Sequence, residues 1–367
     1  MSDRKLVVFW AGNAWDGLPA TDHHLVRALA ELVDVCWVDP PVSVLHSRKL
    51  LPQIEAVSEG IRVLRVGTVP GASRSGLRQL AEGHQRVALA WFTARGQRPW
   101  ASISASPRVS LPASGAGTTV LHVTDDWIAG APMMGLDGDW LQRVLTRNVR
   151  TADVVSAVSV DLAAVLQRLE PRHPVEVVPN GATIAQVIPE LERERTAVLV
   201  GQLNERLDVA LMEAIVDAGV PLRILGPRSD REPEQERRLD ALLARPQVDW
   251  RGPVPHDQVV GLLASAAVGI TPYAINDFNR ASFPLKTLEY LAIGLPVVST
   301  PLEALDWLET DLVDVAATPQ DFAAAVRRRA DEPRDAGLER RRRDFADQHS
   351  WQARAEQLVQ LVEQRRG

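Results

Sequence analysis

Hydrophobic residues in this chain follow two rhythms: short unbroken apolar runs, and longer stretches that return to an apolar residue every three or four positions. Runs at residues 6–10, 33–38, 61–66, 119–123, 154–158 and 175–178 predict buried strands, since a strand covered on both faces needs no polar alternation. A helical pattern over 20–32 separates the first two. A second, cleaner series of runs follows at 197–200, 222–225, 248–250, 268–271 and 297–299. Strands alternating with helices predict parallel sheets covered by helices, an α/β fold in two halves. The turn Pro179-Asn180-Gly181 falls between the series, and the second core starts near Arg195, which sets a linker at about 175–195. Residues 351–366 read as a last helix, with Ala355, Leu358, Leu361 and Val362 on one stripe.

A length of 367 residues accommodates two cores. The formal net charge of −6 gives no general case for nucleic-acid binding. The one cysteine, Cys36, lies in an apolar run and excludes a disulfide framework within the chain. The apolar part of residues 1–12 is too brief for a secretion signal, and no stretch has the length of a spanning helix, so a cytoplasmic protein is expected. Arg74, Arg78, Arg86, Arg95 and Arg98 cluster with Trp91, Phe92 and Trp100, opposed mainly by Glu82. An amphipathic helix there has two readings, peripheral contact of 74–100 with anionic lipid or an anionic acceptor, and a solvated outer helix.

The segment from Asn279 to Thr300 joins a helix start to a buried strand. Ser282 or Phe283 is placed to cap a helix that Pro284 opens, Gly294 ends it, and Pro296 prevents its continuation. The free amides of its first turn would face an anion. Lys286 and Glu289 stand three residues apart on one helix face. Lysine is scarce here, three against thirty-eight arginines, which gives Lys286 weight as a chosen residue; an ordinary surface ion pair is the alternative.

This segment resembles the donor-binding signature of GT-B glycosyltransferases, of family 4 and of the teichuronic-acid-biosynthesis type, at Pro284, Leu285, Lys286, Glu289, Tyr290, Leu291, Ala292, Gly294, Pro296, Val297 and Val298. The resemblance implies a GT-B fold, two Rossmann-like domains whose parallel sheets face a central cleft. Residues 1–180 would bind the acceptor, 181–345 the nucleotide sugar, and a helix in 346–367 would pack back on the first domain. The implied activity moves a sugar from a nucleoside-diphosphate sugar to an acceptor hydroxyl, with retention and without a metal; the donor is a substrate and no cofactor is called for. Glu289 would accept hydrogen bonds from the nucleotide ribose, whose diol suits a carboxylate's two oxygens. Ser282, Pro284, Leu285 and Lys286 would surround the diphosphate. Arg206, in the loop after the run 197–200, would reach the same diphosphate with a directed fork, and Tyr273 would lie beside the donor. A helix-surface arginine is the bland reading of Arg206. Ala281 departs from the pattern, because many family 4 enzymes carry a glutamate there near the donor sugar. Sugar identity and stereochemistry are therefore not carried over.

In the first half, the loop Gly12-Asn13-Ala14-Trp15-Asp16-Gly17 resembles the family's acceptor-side loop, with Gly12, Asn13, Asp16 and His24 as candidate acceptor contacts. A transferase must manage the acceptor's proton, and Asp126 and then His122 are the candidates for it. A hydrogen-bonded core histidine at His122, and a capping role for Asp125, are the structural alternatives. Asp137-Gly-Asp139 invites a metal reading, but a cap at Asp139 explains it better. Competing functions are a sugar-nucleotide epimerase of the same fold, a noncatalytic sugar-nucleotide-binding subunit, and an NAD(P)-dependent oxidoreductase with Asp39 on a ribose. The oxidoreductase loop lacks Gly-x-Gly-x-x-Gly, and Trp15 is bulky where pyrophosphate must approach.

Overall fold

The computed structural model describes residues 4–366 except 18–19, 44–50, 70–76, 95–97, 112–116, 135, 185–186, 282 and 284. The chain divides into two compact units, Met1–Asn180 with Trp351–Gly367, and Gly181–Ser350.

Unit 1 runs β1 (Leu6–Trp10), α1 (Thr21–Leu32), β2 (Asp34–Val38), β3 (Val42–Ser43), β4 (Gln53–Ser58), β5 (Ile61–Arg65), β6 (Gly67–Thr68), α2 (Leu77–Ala94), β7 (Pro99–Ser104), β8 (Thr118–Val123), α3 (Ala131–Met134), α4 (Gly138–Thr151), β9 (Val154–Ala157), α5 (Val160–Gln167) and β10 (Glu176–Val177). Its main sheet has the order β10-β9-β8-β7-β1-β2-β5-β4, and β4 alone is antiparallel. Every residue of β1 is buried, as its unbroken apolar sequence requires. The helix α4 buries Leu141, Val144, Leu145, Asn148 and Val149, the stripe spacing of a helix on a sheet. Its N-cap is Asp137, whose carboxylate accepts from the Trp140 amide at 2.7 Å; the expected cap, Asp139, sits instead in the first turn.

β7 is the strand that the apolar pattern hides. Its sequence Pro-Trp-Ala-Ser-Ile-Ser carries two buried serines, yet it lies beside β1 at the middle of the sheet. Ser102 is tolerated there because its hydroxyl accepts from Trp10 Nε1 at 2.9 Å. The expectation of one amphipathic stretch over 74–100 is corrected accordingly: α2 ends at Ala94 and Trp100 belongs to β7. Arg74 and Arg95 lie outside the described residues.

Unit 2 runs β11 (Ala197–Val200), α6 (Val209–Asp217), β12 (Leu222–Leu225), α7 (Pro233–Leu243), β13 (Val248–Trp250), α8 (His256–Ala264), β14 (Val268–Thr271), α9 (Asp277–Ala281), α10 (Leu285–Ala292), β15 (Val297–Ser299), α11 (Glu303–Asp306), β16 (Val313–Val315), α12 (Pro319–Asp331) and α13 (Ala336–Gln348). Six parallel strands take the order β13-β12-β11-β14-β15-β16, so the order reverses between β11 and β14. Leu199, Met212, Ile215, Ile224, Ile270 and Phe322 belong to one core beneath that reversal. The chain then returns to unit 1 through α14 (Trp351–Gln364), which packs on α1, stacks Trp351 on His24 and pairs Glu363 with Lys5 at 2.7 Å.

One contact sets the geometry of the unit 2 reversal. Tyr290 of α10 is fully buried, and its hydroxyl accepts from the Val200 amide of β11 at 2.8 Å. Its ring occupies the space left by Gly269 of β14, where a Cβ would stand 2.4 Å from the ring. At its other end α10 closes with a Schellman motif: the Leu295 amide donates to Tyr290 O, the Gly294 amide to Leu291 O, and Gly294 has φ +84. Gly269→Ala should therefore destabilise unit 2 by about 1–3 kcal/mol through overpacking. Urea unfolding of variant and wild type measures it, and an unchanged midpoint would refute the packing argument.

Candidate functional site

In open α/β sheets ligands bind beyond the carboxyl ends of the strands, where strand order reverses. In unit 2 that point receives the loops leaving β11 and β14. The two loops are zipped together: the Asp208 amide donates to Pro272 O and the Ala274 amide to Arg206 O, both at 2.9 Å, around a Leu207–Tyr273 bridge. Arg206 and Tyr273 thereby meet, with the guanidinium 5.4 Å from the Tyr273 ring centre and 5.0 Å from that of Phe278. Arg206 Nε donates to Asn279 Oδ1 at 3.0 Å. Asn279 carries no role in the sequence reading, although it opens the signature segment; a buried asparagine in a short polar helix looks like turn chemistry until its partners are seen.

Lys286 and Glu289 stand on α10 and form an ion pair at 2.6 Å, both half-buried. The pair uses one of the three Lys286 N–H donors, so the lysine keeps the capacity to bind an anion while it orients the carboxylate. The Leu285 amide donates to Phe283 O, and Leu285 is half-buried. Ser282 and Pro284, expected to cap and open this helix, lie outside the described residues. At the edge of the sheet, Trp250 Nε1 donates to Gly226 O at 3.0 Å and the Gly226 amide to Gly252 O at 2.8 Å. Gly252, with φ +62, closes this turn.

In unit 1 the strand order reverses between β7 and β1. Gly12 follows β1, and a Cβ on it would lie 3.7 Å from both Ala105 O and Asp22 Oδ2. Asn13 is exposed. Asp16 is ion-paired with Arg65 at 2.8 Å on the surface, and His24 stacks on Trp351 with ring centres 5.8 Å apart. Asp126 Oδ1 accepts from the amides of Ile128 and Ala129, both at 3.0 Å, which leaves Oδ2 without a hydrogen bond to a described residue. His122 takes the core arrangement instead of a proton-carrying one. It is 2% exposed, shares a 3.0 Å hydrogen bond with Ser156 Oγ, and burial pushes its imidazole down to about 4, so it is neutral at pH 7.

Asp39 decides one competing reading. Its Oδ1 accepts from the Trp15 amide and from Trp37 Nε1, each at 2.8 Å, and Oδ2 lies 3.4 Å from Arg65 Nε. A carboxylate so occupied by Trp15, Trp37 and Arg65 has no place for a dinucleotide ribose, and the oxidoreductase reading is corrected on that ground.

The unit 1 residue that sequence reasoning missed is Asp22. It sits in the first turn of α1, where an acidic residue is ordinary helix chemistry. The structure buries it to 5% exposure beside Gly12, whose amide donates to Oδ2 at 3.3 Å. Burial pushes its carboxyl up to about 7, the Gly12 amide opposes this, and the charge of Asp125 adds to it.

Two units built on parallel sheets, each with loops converging where strand order reverses, define the GT-B class of fold. The chain aligns with sucrose-phosphate synthase from Thermosynechococcus elongatus at a TM-score of 0.73 and 16% identity, over 98% of this chain and 99% of that one. It aligns with Anabaena Alr3699/HepE, whose structure is a complex with UDP, at a TM-score of 0.70 and 13% identity, over 98% and 100%. In sequence, residues 202–360 match the glycosyl transferase-like family. A stretch of 124 residues is 32% identical to TuaH of Bacillus subtilis (strain 168), a protein proposed by its description to be a teichuronic acid biosynthesis glycosyltransferase. That match takes in 33% of this chain and spans 31% of the relative's length. The expected GT-B fold and the resemblance to glycosyltransferases of this type both hold.

The buried Asp22 gives a pH prediction. The folded state keeps a proton that the unfolded chain releases above its ordinary value of 3.8, so ionisation costs stability as pH rises toward about 7. Asp22→Asn removes that titration. The variant's advantage in unfolding free energy should grow between about pH 4 and about pH 7 and then level, with a ceiling of about 4 kcal/mol, and urea unfolding across that range measures it. A difference independent of pH would show that Asp22 is ionised throughout.

Proposed function

We propose that the chain is a glycosyltransferase that moves a sugar from a nucleoside-diphosphate sugar to an acceptor hydroxyl. The observation that carries this reading is that the family-matched region holds both an arginine at the strand-order reversal, with no carboxylate partner among the described residues, and a lysine–glutamate pair on α10. Arg206 and Lys286 meet the charge of the departing diphosphate, which stabilises the transition state as charge develops. These cations take the part that a divalent ion plays elsewhere, and the transfer is metal-independent. Glu289 accepts from the ribose diol with the carboxylate that Lys286 orients. Tyr273 stands beside the donor, and Ser282, Pro284 and Leu285 are proposed to lie around its diphosphate. The UDP complex of HepE and the ADP complex of Arabidopsis thaliana starch synthase IV support a nucleoside diphosphate as the common part of the donor.

On unit 1, Gly12, Asn13, Asp16 and His24 form the acceptor side, and the open Oδ2 of Asp126 takes the acceptor's proton. The family resemblance favours retention, and the departure at Ala281 weighs against it. His122, buried and neutral, supports β8 and does not share this task. Lys286→Ala and Glu289→Ala should each weaken binding of the preferred diphosphonucleoside about 10- to 100-fold, the range for losing a charged hydrogen bond. Calorimetric titration with UDP, ADP, GDP and dTDP measures it; unchanged affinity in both variants would remove the donor-site assignment.

The same chemistry takes place in the cytoplasm at a membrane face. Among the described residues no helix is long and apolar enough to cross a bilayer. α2, however, turns Leu80, Val87 and Trp91 outward at 67%, 68% and 60% exposure, while Ala81, Ala88 and Leu89 face the core. Next to this stripe a groove of about 390 Å³ is lined by Arg86, Arg143 and Arg147. An apolar stripe flanked by arginines suits the surface of an anionic bilayer. Val87→Asp with Trp91→Asp should abolish co-sedimentation with phosphatidylglycerol vesicles and leave that with phosphatidylcholine unchanged; retained binding to the anionic vesicles would remove the contact.

A further inference from the structure

Arginine is the principal cation of this chain, and carboxylates hold many of its side chains: Arg223 by Glu194 and Asp249, Arg228 by Asp230 and Asp240, Arg329 by Asp314 and Glu332. Arg206 is held differently. Among the described residues no carboxylate pairs with it, and its one side-chain hydrogen bond runs from Nε to the neutral amide oxygen of Asn279. Phe278 and Tyr273 flank the guanidinium with ring faces that add no charge. Its Nη1 and Nη2 donate to no described residue.

Asn279 is itself immobile. It is wholly buried, and its Nδ2 donates to Arg206 O at 2.9 Å and to Ala274 O at 2.8 Å. Its amide N–H donates to Asn276 Oδ1 at 2.8 Å. One side chain thus grips the backbone of Arg206, the Nε edge of the same residue, and the loop leaving β14.

We infer that Asn279 is the positioning residue of the donor site: it fixes Arg206 by its Nε edge with a neutral partner and leaves the Nη edge, uncompensated, for two oxygens of a nucleoside diphosphate. The inference rests on the donor reading above and adds a residue to it. An amide is the suitable side chain because it supplies an acceptor for Nε and two donors for the carbonyls in one group. Aspartate has the same shape but sets an oxygen against those carbonyls and places a negative charge on Arg206.

The test compares wild type, Asn279→Asp, Arg206→Met and the double variant by calorimetry. The probes are UDP, ADP, GDP and dTDP, each with its parent nucleoside, and circular dichroism verifies folding. For the diphosphate that wild type prefers, Asn279→Asp should lose at least about 10-fold in affinity, while the parent nucleoside changes less than about 3-fold. In the Arg206→Met background the same substitution should have little further effect, since the two residues act as one unit. Where Asn279→Asp does not fold, Arg206→Lys serves: it keeps the charge, loses the Nε bond and the fork, and should show the same loss confined to the diphosphate. Wild-type affinity in the variant, an equal loss for nucleoside and diphosphate, or a full loss in the Arg206→Met background would overturn the inference alone. A wild type that binds none of the diphosphates would overturn the donor reading as well.

Discussion

Unit 2 is organised by the passage of one tyrosine hydroxyl over a glycine. Tyr290 reaches the Val200 amide because Gly269 leaves room for its ring, and this joins the end of β11 to a helix ninety residues further along the chain. The loop carrying Arg206 begins immediately after Val200, and Lys286 and Glu289 precede Tyr290 by about a turn and by one residue. Two segments distant in sequence therefore share one rigid frame. A buried hydroxyl that receives a backbone amide is expensive to displace, which makes that frame hard to slide.

Charge is handled in two ways within each unit. In unit 2 two cations of the candidate site are held differently, Lys286 by a carboxylate and Arg206 by an amide oxygen. In unit 1 two buried acids are held in contrasting ways. Asp39 is saturated by Trp15, Trp37 and Arg65, whereas Asp22 has one long bond from Gly12 and the field of Asp125 against it. The same residue type serves as a structural brace after β2 and as a sparsely bonded buried acid in the first turn of α1.

What the sequence made legible follows from how each element announces itself. Strands buried on both faces, such as β1, β11, β12 and β14, are unbroken apolar runs, and their limits read directly. β7 was invisible because its interior Ser102 is satisfied by a partner ninety-two residues away, which no local pattern can display. The edge strand β4 has little apolar content because most of it is exposed. At the candidate site, Lys286, Glu289 and Arg206 are proposed from a resemblance to a family signature. Asn279 and Asp22 were not legible, and for His122 the sequence left a core role and a proton-carrying one side by side, because each depends on what the fold brings against the side chain rather than on its neighbours in sequence.

Unit 1 is interrupted by the whole of unit 2 and resumes only with α14, whose Ala355, Leu358 and Val362 are buried. Synthesis order then differs from folding order. Unit 2 leaves the ribosome as an uninterrupted segment that can close on itself, while the first 180 residues must wait, with the surface of α1 still bare, for the residues from Trp351 onward. The half of the molecule that is made first is the half that is finished last, and that interval is when its exposed apolar face most needs a chaperone's cover.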